Sequence, residues 1–194
     1  MPSFFNSYPQ LEGKHAMFSA SQSAWLRYDD DQLVDRLITR NAAQHGTRMH
    51  AWAAETILLG LKQLDNTQTI NMYVNDAIGY RMTPEQVLVA SFYIFGTADC
   101  ISFRKEPNHD NGILRVHDLK TGKGAVKFDQ LMVYAAMFCI EYKFSPFQID
   151  IELRIYQNDA METLVPDPLE ISQIMEHIKH VDELILKSQM EGIE

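Results

Sequence analysis

Cysteine is scarce in this chain, and that excludes several classes of protein. Only Cys100 and Cys139 are present in 194 residues. Both lie inside apolar segments, which reads as reduced core thiols rather than a disulfide. A structural zinc site takes four Cys or His ligands, and none is spaced for it. A cysteine-ligated iron–sulfur cluster needs four thiolates, so none is expected. Long apolar runs are also missing. Nothing approaches the ~20 residues of a membrane span, and Met1 to Lys14 lacks the basic-then-apolar order of a signal peptide, so a cytoplasmic protein with no membrane partner is expected. Positive charge is in deficit, with a formal net charge of −9, which argues against a broad, non-specific grip on phosphates. No Gly-x-x-x-x-Gly-Lys-Ser/Thr nucleotide loop occurs, so any helicase would be a separate partner protein.

What remains is an ordinary globular composition, 46% apolar, and a length that fits one domain over 1–194. Residues 1–17 are polar and irregular and read as an arm or loop. Ser19-Ala-Ser-Gln22 has the form of a capping box and predicts a helix through Trp25 and Leu26. Asp31 to Ala43 reads as a second helix and Thr47 to Leu64 as a third, ended by Asp65-Asn66-Thr67. Asn71 to Ile78 is helical by pattern, and Thr83-Pro84-Glu85 reads as a turn. Strands are predicted over Gln86–Phe95 and Ala98–Arg104, then a turn-rich loop over Glu106–Gly112. A third strand carries Asp118 and Lys120. A helix over Phe128–Tyr142 follows, then an alternating strand over Ile149–Tyr156. Asp167-Pro168 signals a last helix start, with Ile171, Ile174, Ile178, Val181 and Leu184 as its apolar stripe. The expected class is α/β, in the order helix, three strands, helix, strand, with added N- and C-terminal helices.

The residues that carry chemistry sit on those strands. Asp99 follows Gly96-Thr97-Ala98, and Asp118-Leu119-Lys120-Thr121-Gly122 ends the third strand. Alternate residues of a strand share a face, so Asp118 and Lys120 point one way and Leu119 points the other way, into a core. His117 alternates out of that face and reads as structural or exposed. Two acids can hold a hard cation through oxygen. The cation polarises a phosphate and generates hydroxide, and the lysine positions that water or neutralises developing charge. Arg104, Lys105, Arg115, Lys120, Lys123 and Lys127 suggest a basic mouth around this site, with Lys123 and Lys127 as substrate contacts. Gln130 and Tyr134 are one helical turn apart and share a face.

Taken in order, Gly46-Thr47-Arg48-Met49-His50, Gly96-x-x-Asp99, Asp118-x-Lys120-Thr121-Gly122 and Gln130-x-x-x-Tyr134 resemble the RecB-type branch of the PD-(D/E)XK nuclease superfamily. The stretch from Phe18 to Asn158 resembles small phage and prophage proteins of that branch. The resemblance implies an α-β-β-β-α-β core with a mixed central sheet flanked by helices, and a Mg²⁺- or Mn²⁺-dependent DNA nuclease. An exonuclease in recombination is favoured over an endonuclease, in the host cytoplasm if phage-encoded. It implies Asp99, Asp118 and the carbonyl of Leu119 as metal ligands, Lys120 as the catalytic lysine, and His50 as an added ligand. Gln130 and Tyr134 would shape the site and touch the DNA backbone. Glu55 is the alternative acid on the first core helix. It lies about 140° around the helix from His50, so the two are not expected to face one metal, and His50 is preferred. A homo-oligomer or a recombination partner would concentrate basic faces that the chain itself lacks. The alternative reading is a non-catalytic or partner-dependent nucleic-acid-binding protein on a nuclease fold.

Overall fold

A computed structural model describes residues 8–11, 16–106, 109–122 and 124–190. By contact the chain divides into two units, Met1–Thr47 and Arg48–Glu194. In the first, a 3₁₀ segment spans Ala20–Arg27. Ser19 caps it by accepting from Ser21 N–H, whereas Gln22 has non-helical backbone angles, so the expected Ser19–Gln22 box does not form. The reciprocal box lies at the next start. Asp29 Oδ1 accepts from Gln32 N–H at 2.8 Å, and Gln32 Oε1 accepts from Asp29 N–H at 3.1 Å.

That box opens α1 (Asp30–Leu58), one helix where the sequence suggested two. Glycine inside a helix costs only about 1 kcal/mol relative to alanine, so Gly46 alone does not break it. The Thr47 hydroxyl donates back to the Ala43 carbonyl, a bond made within the helix. The helix ends at Leu58 rather than Leu64 because Gly60 takes a left-handed φ of +67°. There Leu61 N–H donates to Thr56 O and Gly60 N–H to Ile57 O, the paired bonds of a Schellman stop.

In the second unit, α2 (Thr69–Gly79) matches expectation. The strands are β1 (Thr83–Val89), β2 (Phe95–Glu106) and β3 (His109–Leu119), then α3 (Asp129–Tyr142), β4 (Asp150–Gln157), β5 (Ala160–Leu164) and α4 (Pro168–Met190). Thr83-Pro84-Glu85, expected as a turn, opens β1. The run read as one strand from Gln86 to Phe95 is broken by a hairpin turn, in which Ala90 and Ser91 N–H both donate to Ile94 O. The expected loop over Glu106–Gly112 lies partly outside the described residues; β2 reaches Glu106, and β3 begins at His109. Strand β5 was not expected. Asn158 and Asp159 both have positive φ, the two-residue turn that matches strand twist in a hairpin. Asp159 also accepts the free N–H of Thr69 at the start of α2.

The five strands form one sheet in the order β1-β2-β3-β4-β5. β3 and β4 are parallel, and the other pairs are antiparallel. The parallel step requires a crossover, which α3 supplies. Helices cover both faces, and this is an α/β architecture. One face packs Leu88, Leu114, Val116, Leu153 and Ile155 against Leu131 and Ala135 of α3 and Ile171 and Ile178 of α4. The first half of the expected α4 stripe, Ile171, Ile174 and Ile178, thus packs on its own unit, whereas Leu184 is exposed; the helix is started by Asp167 Oδ1 accepting from Leu169 N–H. The other face packs Cys100, Leu119 and Tyr156 against Ala53 and Ile57 of α1 and Tyr73, Val74 and Ala77 of α2. Among the described residues, no helix is long and apolar enough to cross a membrane. Both cysteines are free and buried. Burial pushes the Cys100 thiol up to about 12 and the Cys139 thiol up to about 11, so neither is a reactive thiolate.

The second face also holds a polar network. The Tyr156 hydroxyl donates to Asp76 Oδ2 at 2.6 Å, and Arg154 donates to the same oxygen at 3.0 Å. Arg115 and Arg154 both stack on the Tyr80 ring and both pair with Glu152. His117 is fully buried beside them, with Nδ1 3.3 Å from the Tyr156 hydroxyl. Burial, then the two arginines, hold its pKa well below the ordinary value, so it is a neutral structural histidine, on the face opposite Asp118 as alternation implies. Tyr156→Phe should cost about 1–3 kcal/mol in urea denaturation, since it leaves the buried His117 Nδ1 without that hydroxyl and removes one bond to Asp76. A change under about 0.5 kcal/mol would show that the hydroxyl adds nothing to stability.

Candidate active site

β2 carries an irregularity at the point where the acids gather. Its pairing with β1 runs through Pro84↔Cys100 and Gln86↔Ala98 and skips Glu85 and Asp99. Its pairing with β3 begins at Cys100↔His117. Glu85 has φ +49°, an unusual angle for a residue with a side chain and of the kind that clusters at functional sites. The packing parity flips there too, with Ala98 in one core and Cys100 in the other. Asp99 is thereby released from the ladder. Its Oδ2 accepts the N–H of Leu119 at 2.9 Å and lies 3.2 Å from His50 Nδ1 on α1.

Glu85 completes a cluster. One donor atom each from His50, Glu85 and Asp99 fall within 4.8 Å of one another. One imidazole and two carboxylates form a donor set that suits Mn²⁺ and, through its oxygens, Mg²⁺. Sequence reasoning missed Glu85 because Pro84 beside it reads as a turn. Glu55, the alternative acid, is exposed and is not in that cluster, as the 140° separation from His50 implies.

Asp118 sits beside this cluster, 3% exposed; its charge acts on His50, and the charge of Asp99 acts on it. Lys120 Nζ lies 3.0 Å from both of its carboxylate oxygens. The hydrogen bond is directed at Oδ1, and the buried Oδ2 is held by the same ammonium as an ion pair. Lys120 also donates to Gln130 Oε1 at 2.9 Å, and Gln130 donates to the Tyr134 hydroxyl at 3.2 Å. The Tyr134 ring lies against Gly96. A Cβ there would meet Tyr134 Cε1 at 3.0 Å, so close approach is what makes glycine the fitting residue at this position. The Lys120 amide donates to Tyr156 O, tying the lysine backbone to β4.

The basic mouth is smaller than expected. Arg115 is buried in the network of the other face, paired with Glu152. Arg104 and Lys105 lie five and six residues along β2 from Asp99, about 17–20 Å away in an extended strand, and Arg104 donates to Arg81 O. Lys127 is exposed ahead of α3. Lys123 lies outside the described residues.

Three groups hold protons more tightly here than in an unfolded chain. The hydrogen bond to Asp99 raises His50. Burial, then the Asp99 charge, raises both Asp118 and Glu85. No family model, curated protein or solved structure matches the chain, so the functional reading rests on this geometry and the motifs.

Two predictions follow from the arrangement. Because the native state binds more protons, stability of the metal-free protein should fall as pH rises from the ordinary Asp118 value of 3.8 to above the ordinary His50 value of 6.5. The protonated His50–Asp99 pair is stabilising below that latter value and lost above it, and ionised Asp118 and Glu85 are strained once deprotonated. Asp118→Asn should therefore raise the metal-free Tm at about pH 7.5 by about 2–4 °C, with the gain shrinking towards about pH 4. A lower or unchanged Tm at both pH values would sink that account. Gly96→Ala should leave Tm within about 2 °C but displace Tyr134, and so weaken the hold of Gln130 on Lys120. The readout is the Lys120 Nζ resonance by NMR, and an unshifted signal would show that Tyr134 yields freely.

Proposed function

We propose that the chain is a divalent-metal-dependent phosphodiester hydrolase of the PD-(D/E)XK class, and within it a RecB-type DNA nuclease. The observation that carries the reading is the convergence of His50, Glu85, Asp99 and Asp118 beside Lys120, with Gln130 and Tyr134 behind the lysine. The mixed sheet, with α3 crossing between parallel β3 and β4, fits the α-β-β-β-α-β order of that class.

His50, Glu85, Asp99, Asp118 and the Leu119 carbonyl would hold the cation, Mg²⁺ or Mn²⁺. Once bound, it supplies a Lewis acid and a hydroxide at neutral pH. Asp118 holds Lys120 at a fixed distance, so the ammonium is placed before substrate arrives. Lys120 then stabilises charge developing on the phosphate oxygens, or orients the attacking water. Gln130 and Tyr134 limit the freedom of Lys120 and face the nucleic-acid backbone, with Lys127 and Lys123 as further phosphate contacts. An exonuclease acting in recombination in a phage-infected cytoplasm is the setting we favour.

The shortage of basic residues at the site favours one variation. With Arg115 buried and Arg104 and Lys105 remote, the chain carries little phosphate-neutralising charge of its own. A homo-oligomer or a recombination partner would supply it, and in the limit the chain acts as an accessory DNA-binding protein.

End-labelled linear and closed circular DNA, incubated with Mg²⁺, Mn²⁺ or EDTA, tests the reading. Metal-dependent loss of linear DNA, reduced about 10²–10³-fold by Lys120→Ala and abolished by Asp118→Asn, is expected. Full activity in either variant would refute the site. Saturating Mn²⁺ should raise the Tm of the unaltered protein by mass action, and Glu85→Gln should shrink that shift. No metal response at all would leave the accessory reading.

A further inference from the structure

The last pair of β3 with β4 is Leu119↔Tyr156, and beyond it the chain that carries Lys120 leaves the sheet. The Lys120 amide still donates to Tyr156 O at 2.9 Å, but Thr121 and Gly122 are exposed. A Cβ on Gly122 would meet nothing within 4 Å, so the turn is not packed against the fold at that point. A single side chain holds it. Gln157, the last residue of β4, donates from Nε2 to the Gly122 carbonyl. Among the described residues, no other hydrogen bond reaches Thr121 or Gly122.

Gln157 is itself firmly set. It is 8% exposed and pairs with Ala160 of β5. The turn after it, Asn158-Asp159, is docked on α2. Asp159 Oδ1 accepts from both the N–H and the hydroxyl of Thr69, and Asp159 N–H donates to the Thr69 hydroxyl oxygen at 2.7 Å. A buried side-chain amide costs stability unless it is bonded, and methionine would fill the position without that demand. The Gly122 carbonyl lies on an exposed turn and is solvated when the bond is removed, so the bond adds little to stability. What it fixes is the course of the chain directly after Lys120. Asp118 and Gln130 hold the lysine at its ammonium, and that hold keeps its geometry only while the backbone two residues before Gly122 stays in place.

We infer that Gln157 is a positioning residue: by holding the Gly122 carbonyl it fixes the Lys120 backbone against the end of β4 and so keeps the ammonium at its place beside the acids. The inference rests on the nuclease reading for its effect on cleavage, but the hold itself is read without cleavage. Gln157→Met keeps the volume and removes the donor. In hydrogen exchange of the metal-free protein, the Lys120 amide should exchange at least about tenfold faster, while the Leu153 amide in the middle of β4 stays within about twofold. The Tm should stay within about 2 °C. On linear DNA with Mn²⁺, kcat should fall about 10–100-fold, with KM within about twofold. On a Lys120→Ala background the same substitution should cost less than about twofold, because residues that act as a unit are not additive. Gln157→Leu carries the same test should the methionine variant fail to fold. An unchanged Lys120 amide would overturn the hold. Exchange that quickens throughout β4 in step with Lys120 would make Gln157 a structural residue only. A full kcat loss on the Lys120→Ala background would show that it does not act through the lysine. If the parent does not cleave and the Lys120 amide still responds, the nuclease reading falls and the hold stands. If the parent cleaves and Gln157→Met keeps full kcat, the positioning role alone falls.

Discussion

Asp99 takes the place of a strand partner. Its carboxylate, not a backbone carbonyl, accepts the N–H of Leu119, and the pairs of β2 with both neighbours skip this residue. A regular ladder here would turn every second side chain into one core or the other. The interruption instead brings Glu85 and Asp99 to the same place as His50, and sets Asp118 and Lys120 beside them. The unusual φ of Glu85 is the local cost of this arrangement, and the buried sheet on either side of it keeps the geometry.

Around that interruption the charges are arranged in layers. Closest are the acids, whose burial and mutual repulsion hold Asp118 and Glu85 protonated above their ordinary range. Next is Lys120, shared between Asp118 and Gln130, and then Tyr134 against Gly96. On the far face of β3, His117 and Arg115 are locked with Tyr80, Arg154 and Tyr156. The same strand thus alternates between a site where acids gather around Lys120 and a network whose arginines are paired with Glu152 and Asp76.

Some of this was legible in the residues. Asp118 and Lys120 share a face because strand alternation is local and survives any packing. The helices over α2, α3 and α4 followed from apolar spacing and, for α4, from the Asp167-Pro168 start. The sequence points to a capping box at Ser19–Gln22, whereas the reciprocal bonds form at Asp29–Gln32, because a short polar motif does not say whether the backbone after it is helical. The division of α1 into two helices failed for a related reason, since a lone glycine is a weak breaker. β5 was missed although Asn158-Asp159 is a turn pair, since its five residues alternate weakly.

What the amino-acid order alone determined is short-range: which residues alternate, where helices start and stop, and that Asp99, Asp118 and Lys120 are the reactive types present. Only the tertiary structure decided which of them meet. His50 reaches Asp99 across 49 positions of sequence, Glu85 joins through a strand that its own proline disguises, and Arg115 is withdrawn into a buried pairing with Glu152. Those outcomes depend on how strands pair and which face each helix covers. They are set by the burial of two apolar cores and by the need to satisfy every polar group left between them, and no local pattern encodes either.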